Sequence, residues 1–203
     1  MSHKNLTPAN LLCKFAHPFL LIKGKWMQAK TIICMRRIGL ISDTHSYLEP
    51  RALEILRDVD EIWHAGDIGD AAVAEALAAI KPLRAVYGNI DSPELRYQYP
   101  LDDRFVIEGW DVWLTHIGGY PGAYAPRVKK LLDRHAPQIF ICGHSHILRV
   151  MRDPAYNNML VLNPGAAGVH GFHHVKTLLR FTLDNGKIAD MEAVEMGKRG
   201  EIK

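Results

Sequence analysis

The chain has 203 residues, 48% of them hydrophobic and 23% charged, the makeup of one folded domain with a full core and of neither a disordered nor a collagen-like chain. No apolar run approaches the roughly 18 residues that a membrane-spanning helix needs. The net charge of +3 is uneven: residues 1–34 hold five lysines and no acid, and the rest, with 22 acidic against 20 basic groups, balances at −2. Such a body is no polyanion-binding surface, so nucleic acid is not indicated as a partner.

Three cysteines (Cys13, Cys34, Cys142) form no CxxC pair, which predicts free thiols in a reducing, cytoplasmic setting. In the leader, Phe19-Leu20-Leu21-Ile22 is shorter than a signal-peptide core. Residues 1–34 are therefore expected to be a disordered extension, or to precede a later translation start at Met27 or Met35. Residues 35–203 are expected to form a single domain.

From Arg36 the pattern becomes regular. Ile38-Gly39-Leu40-Ile41 reads as a buried strand running into Ser-Asp. Pro50 opens a helix with Leu53 and Leu56 at helical spacing. Glu61 to Ala65 reads as the next strand, broken at Gly66-Asp67. Asp70 can cap an alanine-rich helix through Ile80, and Leu83 to Tyr87 is a third strand ending at Gly88-Asn89. This alternation predicts an α/β layer structure.

The second half is richer in strand. Phe105–Ile107 and Asp111–Thr115 predict a hairpin, Pro126–His135 a helix and Gln138–Cys142 a strand. Strands at Leu148–Arg152 and Met159–Leu162 follow, and Asn185-Gly186 marks a final hairpin between Lys176–Leu183 and Lys187–Val194. Trp63, Trp113 and Phe140 fall within strands and are read as core.

Five strand ends deliver Asp, Asn or His: Asp43-Thr44-His45, Gly66-Asp67, Gly88-Asn89, Thr115-His116 and Gly143-His144-Ser145-His146. Ligands collect at the carboxyl ends of strands in open α/β sheets. In extended backbone, the i, i+2 spacing of Asp43/His45 and His144/His146 puts each pair on one side. Imidazole with carboxylate and carboxamide oxygen suits Mn, Fe, Zn, Ni or Co. Seven such groups exceed what one catalytic metal takes from protein and fit two metals sharing a carboxylate. Each piece alone has a plainer reading: Asp as a helix cap, Gly-Asn as a turn, His116 as a satisfied core histidine. It is their order and common placement that carry weight.

The order D-x-H, G-D, G-N, H, G-H-x-H resembles the calcineurin-like metallophosphoesterase superfamily. The compact length, Gly88-Asn89-Ile90-Asp91 and Asn163-Pro164-Gly165 are most similar to the small YfcE-type phosphodiesterases. The resemblance spans Arg36 to about Val194. It implies an αββα sandwich of two mixed sheets and a dinuclear centre of divalent transition-metal ions, Mn first, with Ni, Fe, Zn or Co as alternatives. Asp43, His45, Asp67 and His146 would hold one ion, and Asp67, Asn89, His116 and His144 the other. A water bridging such ions would ionise near neutral pH and attack phosphorus in line, with Asp67, Asn89 and His116 at the catalytic side.

One position departs from the superfamily. Many members carry G-N-H-[DE], whereas here the third residue is Ile90, which exchanges no proton; diesters and activated esters are favoured over monoesters with poor leaving groups. His170, His173 or His174 is weighed as a substitute acid against a plain exposed loop, and His64 as a site residue against a packed strand-end histidine. Asp91 is expected to orient a ligating imidazole. The expected partner is a small phosphoester, with no membrane, and a homo-oligomer is open. The competing expectation is a non-catalytic binding scaffold on the same fold, like a retromer subunit, which has no need of all seven groups.

Overall fold

The computed structural model describes residues 35–200 and the backbone of 19–22 and 25–28. In the leader, β1 (Phe19–Ile22) pairs antiparallel with β2 (Lys25–Gln28). These strands belong to a separate unit, Met1–Ile33, and the expectation of a disordered extension otherwise lies outside the described residues.

The body, Cys34–Lys203, opens with β3 (Arg36–Ile41), α1 (Pro50–Leu56), β4 (Glu61–His64), α2 (Ala71–Ile80), β5 (Leu83–Ala85) and α3 (Pro93–Gln98). It continues with β6 (Asp102–Ile107), β7 (Trp110–Thr115), the short pair β8 (Gly119–Tyr120) and β9 (Ala123–Tyr124), α4 (Pro126–Leu132) and β10 (Ile139–Ile141). The last strands are β11 (Leu148–Asp153), β12 (Met159–Pro164), β13 (Val175–Asp184) and β14 (Lys187–Lys198).

Two five-stranded mixed sheets result, ordered β14-β13-β3-β4-β5 and β11-β12-β10-β7-β6. In the first, β3, β4 and β5 run parallel and β13 joins β3 antiparallel. In the second, β7, β10 and β12 run parallel, with β6 and β11 antiparallel at the edges.

Period-two alternation sorts the layers. Ile38, Leu40 and Trp63 of one sheet meet Val112, Leu114, Ile139, Ile141, Leu160 and Leu162 of the other in a shared core. Their neighbours on the opposite faces, Ile41 and Ile62, pack with Leu56, Leu77 and Leu95 of α1, α2 and α3. Trp113, Phe140 and Val161 likewise pack with Val128 and Leu132 of α4. This is the four-layer αββα sandwich expected. Trp63 lies edge-on to Phe105 and Phe181 at 5.2 and 5.8 Å and donates its Nε1–H to Glu61 Oε1 at 2.9 Å, so truncating it would cost about 3–5 kcal/mol.

Helix starts follow local chemistry. Asp70 accepts from Ala72 N at 3.0 Å, Ser92 from Leu95 N at 3.3 Å, and proline opens α1, α3 and α4. α3 and the β8–β9 pair were not predicted. The Ser92-Pro93-Glu94 start of α3 is a legible helix signal, but the segment is only six residues long. Among the described residues no helix is long and apolar enough to cross a membrane.

Candidate metal centre

All five predicted strand ends open on one region. β3 delivers Asp43 and His45, β4 Asp67, β7 His116 and β10 His144 and His146, while Asn89 follows β5. The two i, i+2 pairs do not converge through extended backbone, as the spacing suggested. Asp43, His45, Asp67, His144 and His146 all have left-handed backbone, with φ between 47° and 65°. Each such non-glycine residue costs roughly 1–2 kcal/mol. The turns are held by one another: Asp43 N donates to Gly66 O (3.0 Å), His45 N to Asp67 O (3.1 Å), Gly143 N to His116 O (3.0 Å) and Gly168 N to Asp43 O (3.0 Å). Because the turns are tight, His144 and His146 part company and reach different groups.

The first group is Asp43, His45 and His146, and the second is Asp67, His116 and His144; within each, one donor atom per residue lies within 4.8 Å of the others. In the first, His45 Nε2 and His146 Nε2 are 3.3 Å apart, and His146 Nε2 is 3.2 Å from Asp43 Oδ1. Asp43 Oδ2 accepts from His144 N at 3.1 Å, while Asp43 Oδ1 is buried and accepts no hydrogen bond. An orphaned buried carboxylate oxygen costs several kcal/mol unless a cation meets it.

In the second group, His116 Nδ1 stands 2.8 Å from Ala65 O, and its Nε2 faces Asp67 Oδ1 at 3.2 Å and Asn89 Oδ1 at 3.1 Å. With Nδ1–H donated to the carbonyl, Nε2 points at two acceptors, so a proton or a metal cation must stand between them. Burial pushes the His116 pKa down, but the hydrogen bond to Asp67 and the fields of Asp43 and Asp67 outweigh it and the net shift is upward. Burial raises the Asp67 carboxyl, and His116 with the Ile90 N–H more than reverses this. His45 and His144 shift downward, chiefly by burial, and are thus held neutral, the ligating form. The donor set fits hard-to-borderline divalent cations.

Asp67 joins the groups. Its Oδ1 meets His116 and accepts from Ile90 N at 3.0 Å, while its Oδ2 lies 3.8 Å from His45 Nε2. Gly88 makes this approach possible, since a Cβ there would fall 2.0 Å from Asp67 Oδ1. At Gly143 a Cβ would fall 2.1 Å from Ser42 Oγ and 2.8 Å from Asp43 Oδ2.

Other expectations are revised. Among the described residues Asp91 is hydrogen-bonded to no imidazole; its two oxygens accept from Gly69 N and Gly88 N, each at 2.7 Å, so it fixes the loops carrying Asp67 and Asn89. His64 is fully buried, 3.0 Å from Thr44 Oγ1, and accepts from Gly66 N at 3.2 Å. It is the packed strand-end histidine. The His170–His174 loop does reach the site: the His170 ring lies 6.1 Å from that of His45, and His173 5.3 Å from His146. His174 is exposed. The sequence reading missed Arg96, which donates to the carbonyls of Asn89 (2.8 Å) and Asp91 (2.9 Å). Its position in the first turns after Ser92-Pro93 was the available signal.

Comparison with known proteins agrees with this geometry. Residues 35–186 match the calcineurin-like phosphoesterase superfamily domain. A probable metallophosphoesterase of Methanothermobacter thermautotrophicus is 32% identical over 139 residues, 65% of this chain and 77% of the relative. Another from Methanocaldococcus jannaschii is 31% identical over 144 residues, 65% and 68% of the two chains. Among solved structures, an archaeal phosphodiesterase aligns with TM-score 0.62 at 21% identity, covering 78% of this chain and 99% of that one. Zinc-complexed Vps29 from Entamoeba histolytica aligns at 0.57 and 17%, covering 79% and 99%; at these identities both likenesses are of fold alone. With a domain match across most of its length and two relatives above 30% identity, this chain belongs to the calcineurin-like phosphoesterase superfamily.

Proposed function

We propose that the protein is a dinuclear, divalent-metal-dependent phosphodiesterase, with Asp43, His45, Asp67 and His146 holding one ion and Asp67, Asn89, His116 and His144 the other. The observation that carries this is Asp67, one oxygen of which faces each histidine group. When bound, two divalent cations supply Lewis acidity toward phosphoryl oxygens and hydroxide near neutral pH. Manganese is the expected ion, and the cytoplasm, where buried Cys142 stays reduced, the expected setting.

The chain's own residues do the following. His45 and His144 present neutral imidazoles, so no proton need be displaced from them. Ala65 O fixes the tautomer of His116 and directs its Nε2 inward. Asn89 adds a neutral oxygen, leaving more positive charge on its side than a carboxylate would. Asp43 is turned by the His144 N–H so that its free Oδ1 faces the imidazoles. Ile90, half exposed beside Asn89, offers no proton to a departing alkoxide. Esters whose leaving groups depart unprotonated, aryl diesters above all, are therefore favoured. A small phosphoester is the partner this implies.

The test is metal analysis joined to turnover. About two transition-metal ions per chain and Mn-stimulated cleavage of bis(p-nitrophenyl) phosphate, faster than of p-nitrophenyl phosphate, are expected. A fully loaded protein that cleaves no phosphoester would overturn the reading in favour of a binding scaffold.

A further inference from the structure

Beside the second group lies a pocket of about 260 Å³ that shares Asn89 and His116 with it. Tyr87, Leu101 and Ile117 form its apolar walls, and Arg96 and Arg127 its polar edge. Leu101 and Ile117 are 41% and 42% exposed, so this apolar wall is open to a ligand from solvent. A larger hollow of about 510 Å³ near Trp110 and Asn157 shares no residue with the site.

The two arginines differ. Arg127 is paired with Asp102 through both terminal nitrogens, at 2.5 and 3.0 Å, and donates to Thr115 Oγ1 at 3.0 Å. Its charge is balanced. The Arg96 hydrogen bonds go to neutral carbonyls, and its guanidinium lies 5.2 Å from the Tyr87 ring centroid, leaving positive charge and N–H donors at the rim. Apolar walls with one cationic edge suit a flat ring that carries hydrogen-bond acceptors. The volume is below that of pockets for drug-sized ligands and suits a single ring system.

We infer that this pocket is the subsite for the group that stays on phosphorus, and that it selects a planar ring of nucleobase size, so the substrate class is a phosphodiester with a nucleoside arm. The inference rests on the phosphodiesterase reading above. In-line displacement expels the leaving group along the axis of attack, so a pocket beside the donors holds the arm that remains. Binding energy gathered there promotes reaction at the distant phosphorus.

Two diesters with the same p-nitrophenolate leaving group separate the arms: thymidine 5′-(p-nitrophenyl phosphate) and methyl p-nitrophenyl phosphate. The expected kcat/KM ratio is at least tenfold in favour of the nucleoside, collapsing toward one in Leu101→Trp and Ile117→Trp, whose side chains fill the pocket. A wild-type ratio near one, or a ratio untouched in both folded variants, would overturn the inference. Should the variants not fold, saturation-transfer NMR on the chelator-treated wild type decides, with thymidine and deoxyribose as probes. Saturation of thymidine but not deoxyribose supports the pocket, and equal or no saturation of the two overturns it. If the Mn-loaded protein cleaves neither diester, the phosphodiesterase reading falls, and the NMR result alone still decides whether the pocket takes a nucleoside.

Discussion

His45 Nε2 and His146 Nε2 stand 3.3 Å apart although 101 residues separate them in the chain. Two imidazole nitrogens this close share at most one proton, and beside them Asp43 Oδ1 accepts no hydrogen bond. Metal binding is expected to relieve both conditions. Asp43→Asn and His116→Ala should each lower the bound metal from about two ions per chain to about one, read by elemental analysis. Titrating Mn into the chelated wild type should raise its thermal midpoint, since an ion at 100 times its dissociation constant adds about 2.7 kcal/mol.

Asn89→Ala and His116→Ala are expected to reduce kcat/KM for an aryl diester by a hundredfold or more. For His116 part of the loss is structural, because Ala65 O would lose the shorter of its two donors and keep only Ser42 Oγ–H at 3.2 Å, a cost of about 0.5–1.5 kcal/mol. Urea denaturation of the metal-free variants separates this from the catalytic loss.

Asp91→Ala should destabilise the fold by roughly 2–4 kcal/mol, since it strands the N–H groups of Gly69 and Gly88 at two short charge-assisted hydrogen bonds. It should also weaken metal binding, because those loops carry Asp67 and Asn89. An unchanged urea midpoint would contradict this account.

His64 makes stability fall with acid. Burial pushes its pKa down to about 4, whereas in the unfolded chain it titrates near the usual 6.5. Between these values the unfolded state binds the proton and the folded state does not. This histidine's contribution is thus complete above about pH 6.5 and is lost as the pH falls toward 4, by on the order of 3 kcal/mol in all. The metal-free His64→Asn variant should lose less of its urea midpoint than the wild type between pH 7 and pH 5.

Ile90→His would place a proton donor directly after Asn89, at a half-exposed position with little core to lose. Cleavage of p-nitrophenyl phosphate and of alkyl esters should rise by about tenfold or more relative to bis(p-nitrophenyl) phosphate, within the range for a positioned general acid. Equal ratios before and after the change would show that a missing donor is not what limits monoesters.

The layered architecture was legible in the linear pattern, because the central strands β3, β4, β7, β10 and β12 bury both faces and their alternate residues are sorted by parity alone. Ile38 against Ile41, or Val112 against Trp113, needed no long-range knowledge to be placed in different layers. The donor residues were legible for a related reason: chemistry-bearing side chains interrupt apolar runs at the strand ends. Grouping them by spacing was another matter; only the family resemblance assigned His144 and His146 to different ions. Asp43/His45 and His144/His146 read as same-side pairs of extended chain, yet left-handed turns give His144 to one group and His146 to the other. Those turns survive because distant loops exchange backbone hydrogen bonds across them, which no local propensity encodes. The same holds for Asp91, whose partners lie 3 and 22 residues away, and for Arg96, whose role depends on where α3 docks. A residue's type and its place on a strand follow from neighbours along the chain, but which donor faces which is fixed by contacts between segments far apart in it.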